Sequence, residues 1–354
     1  MKSACLTAFM ALTLLVTLPL NSADAKNILS ANAPASFADT VEGLLPAVVN
    51  ISSTQKMEEM PDIQEMPEVP QFPEGSPFQD FFEEFMNRRG PGLPMQPEAS
   101  LGSGFVVDAE KGYIVTNNHV IRDAEEVRVT FQNEQTLEAE VIGRDEKTDL
   151  AVLQVKTDQK LTAVDFGNSD VLRVGDWIIA IGNPFGLGGT VTAGIVSARA
   201  RDINAGPYDD FIQTDASINR GNSGGPMFNT DGEVIGINTA IFSPSGGSVG
   251  IGFAIPSALA KPVIDQIIKY GRTRRGWLGV RIQQVTDEIA EGLGLDRAKG
   301  ALVASVTKDG PAEAAGLKSG DIILRFNGQN VSEMRELPRL VAETSIDTKA
   351  QVTF

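Results

Sequence analysis

The sequence predicts a mainly β protein in which two small antiparallel barrels precede another small domain. Between residues 102 and 256, apolar runs alternate with polar residues and recur at intervals of about 8–12 residues, without a helical period between them, which is typical of closed β-barrels. The chain contains 35 glycines, and aromatic residues make up only 6% of it, a composition that favours strands and turns over a helical bundle. Its 354 residues fit two or three domains at about 150 residues each.

Residues 1–25 have the pattern of a secretory signal that is removed from the mature protein. A basic residue precedes an uncharged run at residues 4–20, and Ala23 and Ala25 supply small side chains at the two positions that a signal peptidase reads. We expect cleavage after Ala25 and a periplasmic location. A transmembrane anchor is the alternative, because the apolar run is at the lower limit of about 17 residues for a membrane span.

The predicted first domain, residues 26–270, begins with a short helix and a strand over residues 36–52. A long mobile loop is predicted next, at residues 53–98, because this segment holds eight of the 19 prolines and ten acidic residues against three basic ones. Such a composition buries too little apolar surface to order itself. Inside it, residues 77–86 carry four phenylalanines at helical spacing. This island has two interpretations, docking on a partner subunit or packing on its own domain.

A helix is predicted after the barrels, from Ser257 to Tyr270, with Gly271 as the residue that ends it. Residues 271–275 form a short basic linker, and residues 276–354 form a further domain. The chain stops inside the strand that should close this last domain. We therefore expect the sequence to be a fragment that lacks the end of the domain.

Composition argues against two classes of function. The formal net charge is −16, from 46 acidic and 30 basic residues, whereas a nucleic-acid-binding protein needs a basic surface that displaces counterions. The chain has one cysteine and one histidine, too few for a structural zinc site, which takes about four such ligands. We therefore expect no nucleic-acid partner, no metal and no cofactor.

A glycine-rich run at residues 221–226, Gly-Asn-Ser-Gly-Gly-Pro, carries the strongest chemical signal. Glycines beside Ser223 allow a tight turn that exposes the hydroxyl, and they allow successive backbone amides to point at one spot, as an oxyanion hole requires. Serine is a weak nucleophile unless a base takes its proton. The hypothesis is that Ser223 is such a nucleophile.

His119, the only histidine, is the candidate base, and Asp149, where a polar loop enters the apolar run 150–153, is the candidate carboxylate that orients it. Each residue alone has a simpler explanation, because a single histidine at a strand end is usually a satisfied polar residue. The order His, Asp, Ser, with gaps of 30 and 74 residues, favours a site at the junction of two barrels.

A second glycine-rich run, 182–190, lacks the Gly-Lys-Ser/Thr ending of a phosphate loop, which argues against nucleotide binding.

Four stretches extend this pattern: Thr-Asn-Asn-His-Val at 116–120, Asp-Leu-Ala-Val-Leu at 149–153, Ile-Gly-Asn-Pro-Phe-Gly-Leu-Gly at 181–188, and Phe-Ile-Gln-Thr-Asp-Ala at 211–216, continuing to 225. Together they closely resemble the HtrA family of periplasmic serine endoproteases. The resemblance implies a chymotrypsin-like double β-barrel protease domain followed by a PDZ domain, a trimeric assembly, and ATP-independent cleavage of misfolded or unfolded envelope proteins. It implies a triad of His119, Asp149 and Ser223. The oxyanion hole would comprise Gly221, Asn222 and Ser223.

Departures from the trypsin pattern predict specificity and control. The residue six before the nucleophile, which would form the floor of the primary pocket, is Ser217 rather than an acid, so the pocket should prefer small or medium apolar residues over Lys or Arg. Similarity to the family assigns the pocket wall to Asn238, Thr239, Ala240, Ile241 and Phe242.

The family also orders its active-site loops through neighbouring subunits and bound peptides. The candidate loops are residues 182–189 and 199–210, and Arg201 matches a sensor arginine, with an ordinary exposed arginine as the alternative.

The run Gly-Trp-Leu-Gly-Val at 276–280 resembles the carboxylate-binding loop of a PDZ domain. Backbone amides near Trp277, Leu278, Gly279 and Val280 would bind a peptide C-terminus, and the peptide would add as a strand. The expected partners are unfolded or misfolded proteins, C-terminal peptides and other copies of the chain, with peripheral membrane association as a further hypothesis. The alternative function is a peptide-binding chaperone in which proteolysis is secondary.

Overall fold

The computed structural model of the chain describes residues 34, 36–54, 98–183, 189–219, 221–244 and 247–354. The predicted signal at residues 1–25 and the phenylalanine-rich island at 77–86 lie outside these residues. Within the described part of the chain, none of the helices has both the length and the apolar character needed to cross a membrane.

The first barrel is a closed six-stranded sheet, as the alternating sequence predicts. Strand β1 hydrogen-bonds to both β2 and β4, which closes the order β1-β2-β3-β6-β5-β4. Alternate side chains of each strand point inward, so that branched aliphatic residues such as Ile51, Val129 and Leu153 fill the interior. The elements are helix α1 Ala38–Leu44, β1 Val48–Thr54, β2 Glu98–Asp108, β3 Tyr113–Asn117, β4 Glu126–Thr130, β5 Thr136–Asp145 and β6 Leu150–Val155.

The loop predicted for residues 53–98 starts later than expected. Ser53 and Thr54 continue β1 and pair with β4, and Glu98 already belongs to β2. Ser53 is buried and its hydroxyl donates to the carbonyl of Val120 at 3.1 Å, so a polar residue is accommodated inside the barrel. The rest of the predicted loop, residues 55–97, lies outside the described residues.

The second barrel repeats this architecture. Strand β7 pairs with both β8 and β10 and closes the order β10-β11-β12-β9-β8-β7 around Ile178, Ile212, Met227 and Ile235. The strands are β7 Trp177–Gly182, β8 Thr190–Arg201, β9 Phe211–Thr214, β10 Pro226–Phe228, β11 Val234–Ile241 and β12 Gly252–Pro256.

The predicted helix, α2 Ser257–Tyr270, is confirmed and lies against strands of both barrels. Gly271 ends it with a φ of 69°, a left-handed conformation that glycine adopts without steric cost. At the other end, the Ser257 hydroxyl donates to the carbonyl of Gly167 at 2.7 Å and accepts the amide of Ser169 at 3.1 Å. The helix therefore helps to fix the two barrels against each other.

The C-terminal part of the chain contains two small sheets around a separate core. Strand β13 is at the edge of the order β13-β14-β15, and the second sheet has the order β17-β16-β18. Ala301, Val303, Ile323 and Leu337 are buried at the centre. The elements are β13 Val280–Gln284, α3 Asp287–Gly292, β14 Ala301–Val306, α4 Pro311–Ala314, β15 Ile322–Ile323, β16 Arg325–Phe326, β17 Gln329–Asn330, α5 Glu336–Glu343 and β18 Val352–Thr353.

Candidate active site

The candidate base and carboxylate meet at one end of the first barrel. His119 follows β3 and Asp149 precedes β6, and because these strands are neighbours their ends bring the two side chains together. The Nδ1 atom of His119 lies 2.6 Å from Oδ2 of Asp149, and the amide of His119 donates to Oδ1 of Asp149 at 2.9 Å. An ionised carboxylate only accepts hydrogen bonds, so the contact assigns the proton to Nδ1 and leaves Nε2 free to act as an acceptor.

The backbone of Asp149 is held in an unusual conformation. Its φ is 55°, in the left-handed region that few residues other than glycine occupy, although aspartate tolerates it better than most. Its carbonyl accepts the amide of Asn118 at 3.0 Å and the side-chain amide of Asn117 at 2.9 Å. These two hydrogen bonds help to maintain the conformation in which the carboxylate faces the imidazole.

The glycine-rich turn that carries Ser223 leaves two amides for a ligand. Gly221 and Gly224 have φ values of 94° and 84°. The amide of Asn222 donates to Asn219 at 3.0 Å, and that of Gly224 donates to Asn238 at 2.8 Å. By contrast, the amides of Gly221 and Ser223 donate to no acceptor among the residues that the structure describes. Two such amides on alternate peptide units are what the candidate oxyanion hole requires.

The hydroxyl of Ser223 does not bind the imidazole in this structure. It donates to the carbonyl of Thr239 at 3.3 Å, and no hydrogen bond joins it to His119 in the described part of the chain. The Thr239 hydroxyl accepts the side chain of Asn117 at 2.5 Å, so Thr239 contacts both halves of the site. Catalytic hydrogen bonds between a serine and a histidine often form only when substrate is bound.

The residues predicted to form the specificity pocket occupy different environments. Ser217 is exposed, whereas Asn238 is fully buried and holds the Gly224 amide. Thr239 and Ala240 line an open cavity of about 270 Å³, together with His119 and Asp149. Ile241 packs partly against the core of the second barrel, and the Phe242 side chain is 60% exposed.

The candidate regulatory segment contacts the C-terminal part of the chain. Arg201 is exposed at the end of β8 and its Nε donates to Gln213 at 2.9 Å. Just beyond it, Asp202 pairs with Arg335, and Asp210 lies 3.5 Å from Arg339, which is on α5. Most of the other candidate loop, residues 184–188, lies outside the described residues.

The predicted carboxylate-binding loop leads into edge strand β13. Leu278 and Val280 pack against the core, while the Trp277 ring is 62% exposed. Gly279 has a φ of 80°, and a Cβ at that position would lie 3.3 Å from the Trp277 ring. In the described part of the chain, β13 pairs only with β14, so its other edge is open to an added strand.

The sequence did not predict two residues that support the site. Asn117 donates to the carbonyl of Asp149, and Ser103 donates to the serine turn. The flanking residues Gly102 and Gly104 were the available signal, because glycines inside a strand often mark a close backbone approach. The described residues contain no group of three or more His, Cys, Asp or Glu side chains arranged to hold a metal ion.

Two closed barrels, with a His–Asp pair on one and a serine turn on the other, define a serine endopeptidase of the trypsin-like class. The family model described as "Trypsin-like peptidase domain" matches residues 102–237, and the one described as "PDZ domain" matches residues 266–345. Among solved structures, an HtrA-type protease AlgW with tripeptide is 42% identical with a TM-score of 0.68, over 87% of this chain and 89% of that one. A serine endoprotease from Yersinia pestis is 36% identical with a TM-score of 0.61, over 90% and 93%.

Curated relatives give the more specific family. The DegP-like periplasmic serine endoprotease of Brucella suis is 50% identical over 371 aligned positions, which cover 98% of this chain and 72% of the relative. That of Rhizobium meliloti is 49% identical, over 90% of this chain and 67% of the relative. The chain belongs to the DegP-like periplasmic serine endoproteases, which have the HtrA architecture, and it is a serine endopeptidase.

Proposed function

We propose that His119, Asp149 and Ser223 form the catalytic triad of this endopeptidase. The observation that carries the proposal is the 2.6 Å contact between His119 and Asp149, opposite a serine turn with two amides that have no acceptor among the described residues. In the proposed reaction, Nε2 of His119 takes the proton of the Ser223 hydroxyl as Oγ attacks the substrate carbonyl. Asp149 stabilises the imidazolium, and the amides of Gly221 and Ser223 bind the oxyanion.

The proposed substrates are unfolded or misfolded proteins of the cell envelope, cleaved after small or medium apolar residues. Ser217 carries no charge that could bind Lys or Arg, which supports this preference. The cavity beside His119 and Asp149 is open, as an extended chain requires. We further propose that the chain is exported by the signal at residues 1–25, works as a trimer, and adjusts its active-site loops through segment 199–210 with Arg201 as a sensor.

A fluorophosphonate probe tests the assignment of the nucleophile, because it phosphonylates a serine hydroxyl that an adjacent base activates. We expect the native protein to be labelled on Ser223, as mapped by peptide mass spectrometry, and labelling to be lost in His119→Ala. Ser332→Ala, at an exposed serine in the C-terminal part of the chain, is the control that should retain the label. Labelling of a different serine that abolishes the cleavage of unfolded casein would contradict the triad.

We also propose that the edge of β13 and the loop at 276–280 bind peptides through their C-terminal carboxylate. The positive φ of Gly279 turns the loop so that its amides can converge on an anion, which supports the proposal. We expect a decapeptide with an apolar C-terminal residue to bind at least about 10-fold more tightly than the same peptide with a C-terminal carboxamide, because only the first presents a carboxylate. Fluorescence anisotropy measures both, and equal affinities would contradict this mode of binding.

A further inference from the structure

Ser103, in strand β2 of the first barrel, makes four hydrogen bonds at the serine turn or beside it. The side chain is fully buried. Its amide donates to the carbonyl of Ser223 at 2.8 Å, and its carbonyl accepts the hydroxyl of Thr116 at 2.8 Å. Its hydroxyl donates to the carbonyl of Gly221 at 2.6 Å and accepts the amide of Asn183 at 2.7 Å. Every polar group of Ser103 therefore has a partner, and two of the partners belong to the serine turn.

The bonds from Ser103 fix particular peptide units of that turn. The two candidate oxyanion donors, the amides of Gly221 and Ser223, belong to alternate peptide units. The peptide unit between these donors joins Gly221 to Asn222, and Ser103 binds its carbonyl, that of Gly221. The unit after the donors begins with the Ser223 carbonyl, which Ser103 also binds. The amide of Asn222 donates to Asn219, so the peptide unit between the donors is held at both ends.

A glycine-rich turn needs such restraints because its backbone has more accessible conformations than that of other residues. Rotation of the peptide unit between Gly221 and Asn222 would turn the two donor amides away from a common point. An oxyanion hole stabilises the transition state only when its donors are already oriented toward the developing charge. A buried hydroxyl at 2.6 Å from the Gly221 carbonyl opposes that rotation.

We propose that Ser103 is a positioning residue for the oxyanion hole: its hydroxyl orients the Gly221–Asn222 peptide unit and joins it to the start of the neighbouring loop at Asn183. This inference rests on the proposed function, because it takes the amides of Gly221 and Ser223 as the donors. The Asn183 side chain in turn accepts the amide of Gly189 at 3.4 Å, which brings together the two ends of that loop. Ser103 therefore connects the first barrel to two segments of the second.

The test is Ser103→Ala, assayed with a chromogenic peptide and with a boronate of the same peptide sequence. We expect kcat to fall about 10–100-fold with KM within about twofold, because a misaligned donor costs somewhat less than the 10²–10³-fold loss of a deleted one. Affinity for the boronate, which forms a tetrahedral adduct in the oxyanion hole, should fall by a similar factor. Affinity for the matching non-covalent carboxamide should not change.

Ser257→Ala is the matched control. Ser257 is also buried, and its hydroxyl likewise donates to one carbonyl and accepts one amide, but at the start of α2. We expect a similar loss of thermal stability without the selective loss of kcat and boronate affinity. Should Ser103→Ala fail to fold, Ser103→Cys replaces it, because a thiol is similar in size but a weaker donor, and its kcat should be intermediate.

Three results separate the possible failures. A folded Ser103 variant with kcat within twofold of the wild type overturns the positioning role. A loss expressed in KM, or an equal loss of affinity for the boronate and the carboxamide, also overturns it, because that result indicates damaged substrate binding. If Ser223→Ala retains cleavage, the proposed triad fails instead, whatever the Ser103 variants do.

Discussion

Ser223→Ala is expected to lower kcat for the cleavage of unfolded casein by a factor on the order of 10⁶, because it removes the proposed nucleophile of acyl-enzyme formation. The substitution removes one hydroxyl whose contact in the resting structure is the Thr239 carbonyl at 3.3 Å. Folding should therefore be nearly unaffected. Substrate affinity should also persist, because the His119–Asp149 pair and the turn remain in place. Casein fragments resolved on a gel, with a fluorogenic peptide for the rate, provide the measurement.

A control variant and the alternative chaperone function can be tested in the same experiments. Ser257→Ala should retain full turnover, which shows whether loss of a buried serine hydroxyl alone lowers activity. A rate for Ser223→Ala within tenfold of the wild type would exclude Ser223 as the nucleophile. Ser223→Ala can also be tested for suppression of the aggregation of an unfolded client. If it is as effective as the wild type, peptide-binding chaperone activity is independent of proteolysis. The relative rates of proteolysis and of aggregation suppression then decide which activity dominates.

The sequence was sufficient to predict the barrels, which the structure confirms, and to name the members of the candidate triad, which stay a prediction. Alternation with a period of two identifies barrel strands wherever one face is buried, and a single histidine leaves one candidate base. The serine turn was recognisable because its glycines are local signals. Features that are signalled by neighbouring residues could thus be predicted.

Long-range contacts could not be predicted in the same way. The Ser103 hydroxyl contacts backbone groups 118 and 80 residues away, and these partners are set only when two barrels pack together. Likewise, the composition does not encode that the Ser223 hydroxyl donates to the carbonyl of Thr239. The predicted start of the loop is too early because Ser53 and Thr54 are polar, although both belong to β1 and pair with β4.

A buried ion pair joins the linker to the first barrel immediately before the candidate catalytic aspartate. The Asp145 side chain is 6% exposed and accepts both amino groups of Arg275, one at 2.8 Å. It also accepts the Thr148 amide at 3.1 Å and the Thr273 hydroxyl at 3.0 Å. Burial alone would raise the pKa of Asp145, but the hydrogen bonds from Arg275 and Thr148 and the charge of the guanidinium outweigh burial and hold this pKa below its ordinary value.

Arg275→Met is expected to lower the free energy of unfolding by about 3 kcal/mol at pH 7, because it leaves a buried carboxylate without its cation. The remaining bonds from Thr148 and Thr273 place the loss at the lower end of the usual range of about 3–5 kcal/mol. Activity should fall less than in Ser223→Ala, because Asp149 has its own supports in Asn117 and Asn118. Thermal and denaturant unfolding measure the loss. Arg173→Met, which removes an exposed pair with Asp176, is the control and should cost less than about 1 kcal/mol.

The pH dependence gives a sharper test, because the contribution of Asp145 to stability should be independent of pH above about 5 in the wild type but should fall with rising pH in the variant. In the wild type, the pKa of Asp145 is lowered on folding, so its contribution is complete above the unfolded value of about 3.9 and is lost only as the pH falls through the folded value. Stability from this group is therefore constant between pH 5 and pH 8. Without Arg275, burial dominates and raises the pKa of Asp145, so stability should decrease as the pH rises from about 4 toward 7. Asp145→Asn in the Arg275→Met background should abolish that decrease. Parallel profiles of stability against pH for the wild type and Arg275→Met would show that the guanidinium does not stabilise this carboxylate.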